Sequence, residues 1–221
     1  MAYQDDIKKA AALLLPWNKL SGCNILVTGA TGLIGGCLVD VLMAHKGRNY
    51  NVYASGRNEE RAGRRFLKYA DDNAFHFVKY DVAQPLEYDV NFQYIIHAAS
   101  GAYPEEFIKH PVEVIKGNIN GLDNLMGYGI QHGIKRLLYI SSGEVYGEGD
   151  GRVFTENYSG YVDCTSLRSC YPSSKRAAET LCISYGAEYG IDVVIARPCH
   201  VYGPGSVSYT HLRAHETCAD L

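Results

Sequence analysis

The sequence predicts an α/β fold, a doubly wound parallel sheet with helices on both faces. Three observations predict it. Short apolar runs alternate with helical stretches, the pattern that crossover connections between parallel strands require. The first run carries Ile25, Leu26 and Val27 in a row, as a strand buried on both faces should. A glycine-spaced turn, Gly29-Ala30-Thr31-Gly32-Leu33-Ile34-Gly35, follows that run and leads into a helix.

The elements follow in order. Residues 4–15 read as a short outer helix, opened by Asp5 and Asp6 and stopped by Pro16. Strands are expected at 24–28, 51–54, 75–79, 94–97, 136–141 and 192–196. Helices are expected at 33–45 and 58–69, over a long stretch ending near His132, and from Tyr171 to about Tyr189. Six strands in this arrangement fit a Rossmann-type sheet. Residues 1–20 are a helical extension, 21–206 the dinucleotide-binding domain, and 207–221 a tail of different character.

Composition narrows the function. The chain has 221 residues, 47% hydrophobic and 20% charged, with a net charge of -3. That balance gives no reason to expect nucleic acid or a membrane surface as partner. No apolar run approaches a membrane span, and the N-terminus lacks the basic region of a secretory signal. The seven cysteines are irregularly spaced without a Cys-x-x-Cys. They read as reduced thiols of a cytoplasmic protein, with no metal site.

In the glycine turn, Gly29 makes the bend, Gly32 lets a pyrophosphate approach the backbone, and Gly35 lets the helix pack on the sheet. The helix start, with Thr31, Leu33 and Ile34, offers N–H groups to phosphates. A plain flexible turn is the alternative; the position between strand and helix favours a cofactor. The end of the second strand has no acid for a ribose hydroxyl, and Arg57 there can face a 2′-phosphate. The cofactor is therefore NAD or NADP, leaning to NADP, unless Arg57 stacks on adenine or sits in solvent. Asp81 and Val82, after the third strand, are placed for adenine; a turn-capping Asp is the alternative.

Tyr171 and Lys175 form the one Tyr-x-x-x-Lys among 18 tyrosines. Four residues apart on a helix, they share a face. A neighbouring ammonium favours the phenolate, so the pair can take a proton from a hydroxyl as a hydride leaves the carbon.

Together these segments resemble the extended short-chain dehydrogenase/reductase family, the NAD-dependent epimerase/dehydratase group. The matching elements are TGATGLIG (28–35), Asp81-Val82, HAAS (97–100), Asn118 in GNING, SSGEVYG (141–147), YPSSK (171–175) and RPCHVYGP (197–204). The resemblance implies a nicotinamide cofactor held by the glycine turn, Asp81, Val82, Ala98, Ala99, Ser100, Asn118, Tyr171 and Lys175. It implies a nucleotide-sugar substrate and a homodimer of the full-length protein. Within the family, SSGEVYG and the run Arg168-x-Cys170-Tyr171-x-x-x-Lys175-Arg176-x-x-Glu179-Thr180 resemble the UDP-glucuronate decarboxylase branch. Ser142 falls on the family's catalytic Ser/Thr and Glu144 on the decarboxylase Glu. Position 143 is Gly; the 4,6-dehydratases carry an acid there, which argues against dehydration. Pro172-Ser173-Ser174 and His200 also depart from the branch. The expected sites are thus Ser142, Glu144, Tyr171 and Lys175 for catalysis, with Cys170 a packed thiol. A nucleotide-sugar 4-epimerase is the alternative; a 4,6-dehydratase or a non-catalytic dinucleotide-binding protein ranks lower.

Residues 207–217 have no apolar period and match one reading frame of a transposase-type sequencing adaptor. They read as non-native, so His211 and His215 are not taken as metal ligands despite their spacing. On this reading most of the substrate domain is missing from the chain, and the fragment itself is expected to be inactive.

Overall fold

Six parallel strands form one sheet in the order β3-β2-β1-β4-β5-β6. The computed structural model describes residues 2–101 and 104–203. Pro204, the 207–217 segment with His211 and His215, and Cys218 lie outside the described residues. The strands are β1 (Asn24–Thr28), β2 (Asn51–Gly56), β3 (Phe75–Lys79), β4 (Tyr94–His97), β5 (Arg136–Ile140) and β6 (Asp192–Ala196). The helices are α1 (Ala2–Ala11), α2 (Leu33–Ala44), α3 (Glu59–Phe66), α4 (Pro104–Lys109), α5 (Pro111–His132) and α6 (Cys170–Tyr189). The doubly wound architecture matches the expectation from sequence. Strand order reverses between β1 and β4, and in such sheets the crevice at that reversal is where ligands bind.

Alternate residues of β1 serve two cores. Leu26 faces a cluster with Leu122, Leu125 and Met126 of α5 and Ala178 and Cys182 of α6. Ile25 and Val27 face Val39, Leu42 and Met43 of α2 and Ala62 and Phe66 of α3. A strand covered on both sides has no solvent face, which is why β1 is apolar at successive positions.

The structure differs from the expected boundaries where packing or proline decides. The long helical stretch is two helices, because Pro111 starts α5 and disfavours helical backbone at His110 (φ -137, ψ 50). Strand β2 runs on to Gly56, and the third helix ends in a 3-10 turn at Leu67–Tyr69. The first helix starts at Ala2 and stops at Ala11, well before Pro16. Leu13, Leu14 and Leu15 are exposed, so no burial rewards continuing it.

What fixes α1 is one carboxylate. Asp40 on α2 is fully buried and accepts from Tyr3 Oη at 2.6 Å, Tyr69 Oη at 2.9 Å and Arg65 Nη2 at 2.5 Å, with Lys68 Nζ at 2.9 Å. Burial alone would raise its pKa, but the hydrogen bonds from Arg65, Tyr3, Lys68 and Tyr69 outweigh it and hold the group at about 2. Asp40→Ala should cost about 2–4 kcal/mol, because two phenols and two cations lose their common partner. Thermal unfolding should show a Tm lower by roughly 5–10 °C. The unfolded value is ~3.9, so the Asp40 contribution is complete above that pH and is lost as pH falls towards 2. The wild-type acid limb in that window should flatten in the variant; equal limbs would remove Asp40 from the account.

Candidate active site

The glycine turn lies in the crevice between β1 and β4. Gly29 has φ +64, and a Cβ there would stand 2.6 Å from Ala98 O and 2.7 Å from Ala99 Cα. Only glycine closes this turn against the end of β4. A Cβ at Gly35 would come within 2.4 Å of Gly29 O, so α2 seats directly on the turn. At Gly32, the N-cap of α2, an added Cβ would meet only Gly29 O, at 3.2 Å. The turn thus packs tightly behind and stays bare in front, at a helix N-terminus with free N–H groups. This fits a dinucleotide phosphate cradle. Thr31, Leu33 and Ile34 line it half-buried.

The other expected cofactor residues fall into two groups. Ser100 Oγ donates to Asn118 Oδ1 at 2.8 Å, Asn118 Nδ2 to Ser174 Oγ at 2.9 Å, and Ser174 Oγ to Tyr171 O at 3.0 Å. Asn118 therefore ties the end of β4, through Ala98-Ala99-Ser100, to the first turn of α6. Arg57 is exposed just beyond β2, where no acid occurs. Arg61 touches the cradle, its Nη2 donating to Thr31 O at 3.2 Å. Asp81 Oδ1 accepts from Ala83 N at 3.1 Å, the turn-capping role held as the alternative. Val82 packs beneath Gly121 of α5, leaving an added Cβ 3.0 Å from its Cγ2.

Beyond β5 a short 3-10 turn, Gly143–Tyr146, carries Glu144, and Ser142 caps it by accepting from Glu144 N at 3.2 Å. Tyr171 and Lys175 start α6, both buried. Burial raises the Tyr171 phenol above its ordinary value. The Ser142 hydroxyl pulls it down, the Glu144 charge pushes it up, and Ser100 and Arg168 pull it down again. Lys175 Nζ lies 5.8 Å over the Tyr171 ring centroid, 4.7 Å over that of Tyr139, and donates to Ile140 O at 2.8 Å. Its own pKa falls to about 7, because burial removes water from the ammonium and the more distant Glu179 charge restores only part. At pH 7 such a group is about half protonated.

Several contacts at the site join residues far apart in the sequence. His97 is buried, its Nδ1 2.8 Å from Thr28 Oγ1, and burial followed by the Lys175 charge lowers its pKa to about 3. Glu179 takes Ser141 Oγ at 2.5 Å and Arg197 Nη2 at 2.6 Å, bracing the end of β5 against α6. Cys170 packs with Phe107, Val114 and Tyr171, the expected packed thiol. At Gly143 an added Cβ would stand 2.8 Å from Cys199 Sγ, so the bare position and the neighbouring thiol fit one another. Among the described residues no group of acids, histidines and cysteines is placed to hold a metal ion, and no helix is long and apolar enough to cross a membrane.

A parallel sheet reversing at β1/β4, a glycine turn in that crevice and a Tyr-x-x-x-Lys beside it define a Rossmann-type protein of the short-chain dehydrogenase/reductase class. The chain belongs to the NAD dependent epimerase/dehydratase family, whose model matches residues 25–217. It is 37% identical over 187 residues to UDP-glucuronic acid decarboxylase 6 of Arabidopsis thaliana, covering 83% of this chain and 52% of that protein. It is 34% identical over 182 residues to UDP-glucuronic acid decarboxylase 1 of Xenopus tropicalis, covering 81% and 41%. Among solved structures it resembles UDP-glucuronic acid 4-epimerase from Bacillus cereus in complex with NAD, at TM-score 0.66 and 26% identity, covering 83% of this chain and 58% of that one. The chain spans about half the length of the curated relatives it matches.

Proposed function

We propose that this chain carries the dinucleotide-binding and acid–base half of a UDP-glucuronate decarboxylase-like enzyme. The observation that carries the reading is the convergence of Ser142, Glu144, Tyr171 and Lys175 beside the glycine cradle. The decarboxylase relatives supply the substrate class. Gly29, Thr31, Gly32, Leu33, Ile34 and Gly35 would hold the phosphates of NAD or NADP, and Ser100, Asn118, Tyr171 and Lys175 the nicotinamide end. Arg57 is exposed just after β2 and Arg61 donates to Thr31 O, so the lean towards NADP is tested by a binding comparison. A bound nicotinamide supplies a hydride acceptor at the sugar C4 and returns the hydride.

The chain's own residues do the proton work. Tyr171 takes the proton of the C4 hydroxyl, and Ser142 hydrogen-bonds that hydroxyl and orients it. The resulting 4-keto glucuronate is a β-keto acid, which loses carbon dioxide readily. Glu144 orients the sugar or handles the proton near C5. Gly143 offers no acid, and Cys199 leaves little room for one, which weighs against 4,6-dehydration.

The C-terminal substrate domain, the homodimer and a cytoplasmic location belong to the same proposal and rest on family resemblance. The non-native reading of 207–221 rests instead on the likeness of 207–217 to a translated sequencing adaptor, while the family model's match extends to residue 217. Codon choice across 207–217 decides that point. The functional test uses the protein translated from the intact gene. With UDP-glucuronate we expect stoichiometric carbon dioxide and a UDP-pentose. Conversion of UDP-glucose to its C4 epimer without gas would establish the epimerase alternative instead.

A further inference from the structure

Arg168 stands outside the residues given a role so far, yet it touches the site twice. It lies in the 3-10 turn Leu167–Ser169 that leads into α6. Its Nη2 donates to Glu144 Oε1 at 2.7 Å, and its guanidinium carbon lies 4.6 Å over the Phe107 ring centroid. Phe107, from α4, is buried and stacks on Tyr171 with centroids 4.7 Å apart and planes at 25°. Cys170 Sγ, 3.8 Å from Phe107 O, closes the same cluster. Glu144, Arg168, Phe107 and Tyr171 thus form a continuous stack from one expected acid–base residue to the other.

We propose that Arg168 is a positioning residue that pins the Glu144 carboxylate and, through Phe107, sets the Tyr171 phenol. This deepens the reading of Tyr171 as the acid–base group and rests on it. The charged groups around the phenol are Glu144 from the turn after β5, Arg168 from the turn before α6, and Lys175 from α6 itself. Glu144 opposes the phenolate and Arg168 favours it. Lys175 is turned to Ile140 O and Tyr139, and burial leaves it half discharged at neutrality. Arg168 is thus a second cation at the site beside Lys175, joined to Tyr171 through the Phe107 ring. A guanidinium suits that task, since it can stack on an aromatic face while donating to a carboxylate.

The test is the ionisation of Tyr171 without substrate or cofactor. The chain is labelled with 3-fluorotyrosine, which titrates at lower pH, and followed by fluorine NMR; the Tyr171 signal is the one missing in Tyr171→Phe. Arg168→Gln should move the titration to higher pH and Glu144→Gln to lower pH. The double variant should fall between them, and Arg168→Lys should largely restore the wild-type value. An unchanged titration in Arg168→Gln, or shifts of the same sign in both single variants, would overturn the proposal. Should Arg168→Gln not fold, Glu144→Gln and Arg168→Lys decide it: no downward shift in the first, or an upward shift in the second as large as the downward shift of the first, overturns it. In the intact enzyme the acid limb of kcat/KM should shift upward in Arg168→Gln. Opposite titration shifts without turnover of any UDP-sugar would leave this inference standing and remove the decarboxylase reading.

Discussion

Tyr171→Phe is expected to reduce kcat of the intact enzyme on UDP-glucuronate by about 10²–10⁴-fold, the contribution of a placed acid–base group. Stability should change little, and dinucleotide binding should lose only what the Tyr171 hydroxyl adds at the nicotinamide end. The ring stays stacked on Phe107, and no hydrogen bond among the described side chains depends on the Tyr171 oxygen for folding. The Ser142 and Ser100 hydroxyls, which act on the phenol, both keep other partners: Ser142 caps Glu144 N and Ser100 donates to Asn118. The loss should therefore sit in kcat and not in KM, the mark of an interaction made in the transition state. Isothermal titration with NAD and NADP, thermal unfolding and carbon dioxide release measure the three quantities. Full activity in the variant would remove the acid–base account altogether.

The sheet was readable because each strand is a short apolar run between turn signals, and because parallel strands must be joined by helices. Tyr171 and Lys175 were readable because four residues span one helical turn. Their electrostatics were not. Spacing says that the two side chains share a face; it does not say that Nζ points to Ile140 O, beneath the Tyr139 ring. Arg168 and Glu144 both stand in the runs that carry the family resemblance, but their pairing escaped, because Arg168 precedes the helix in a 3-10 turn, where helical periodicity has no hold, and Glu144 belongs to another turn. The His97–Thr28 contact follows from strand register, β1 pairing with β4 so that Thr28 stands opposite His97. No local pattern contains that register, since a whole crossover separates the two strands. The same holds for Gly143 and Cys199, which meet only because β5 and β6 are neighbours.

Lys175→Met should abolish turnover and at the same time make the chain more stable at pH 7. Lys175 is 2% exposed, and its pKa falls from 10.5 to about 7 on folding. Between those values the unfolded chain binds a proton that the folded chain gives up, so stability rises with pH across the window. Near pH 7 the cost is on the order of 4 kcal/mol. Methionine fills a similar volume without a charge, but it leaves Ile140 O without its donor, a loss of about 1–3 kcal/mol. Glu179 is not orphaned, because Arg197 and Ser141 still hold it. The net gain is about 1–3 kcal/mol, seen as a Tm higher by roughly 3–9 °C. As pH approaches 10.5 the burial cost disappears while the lost hydrogen bond remains, so the variant's advantage should shrink and then reverse. Urea unfolding at pH 7, 8.5 and 10 measures this. Parallel curves, or a variant less stable at pH 7, would mean that the ammonium is not strained in the folded chain. A gain in stability with loss of turnover is what the proposed role of Lys175 at the nicotinamide end requires, since a residue kept for chemistry need not stabilise the fold.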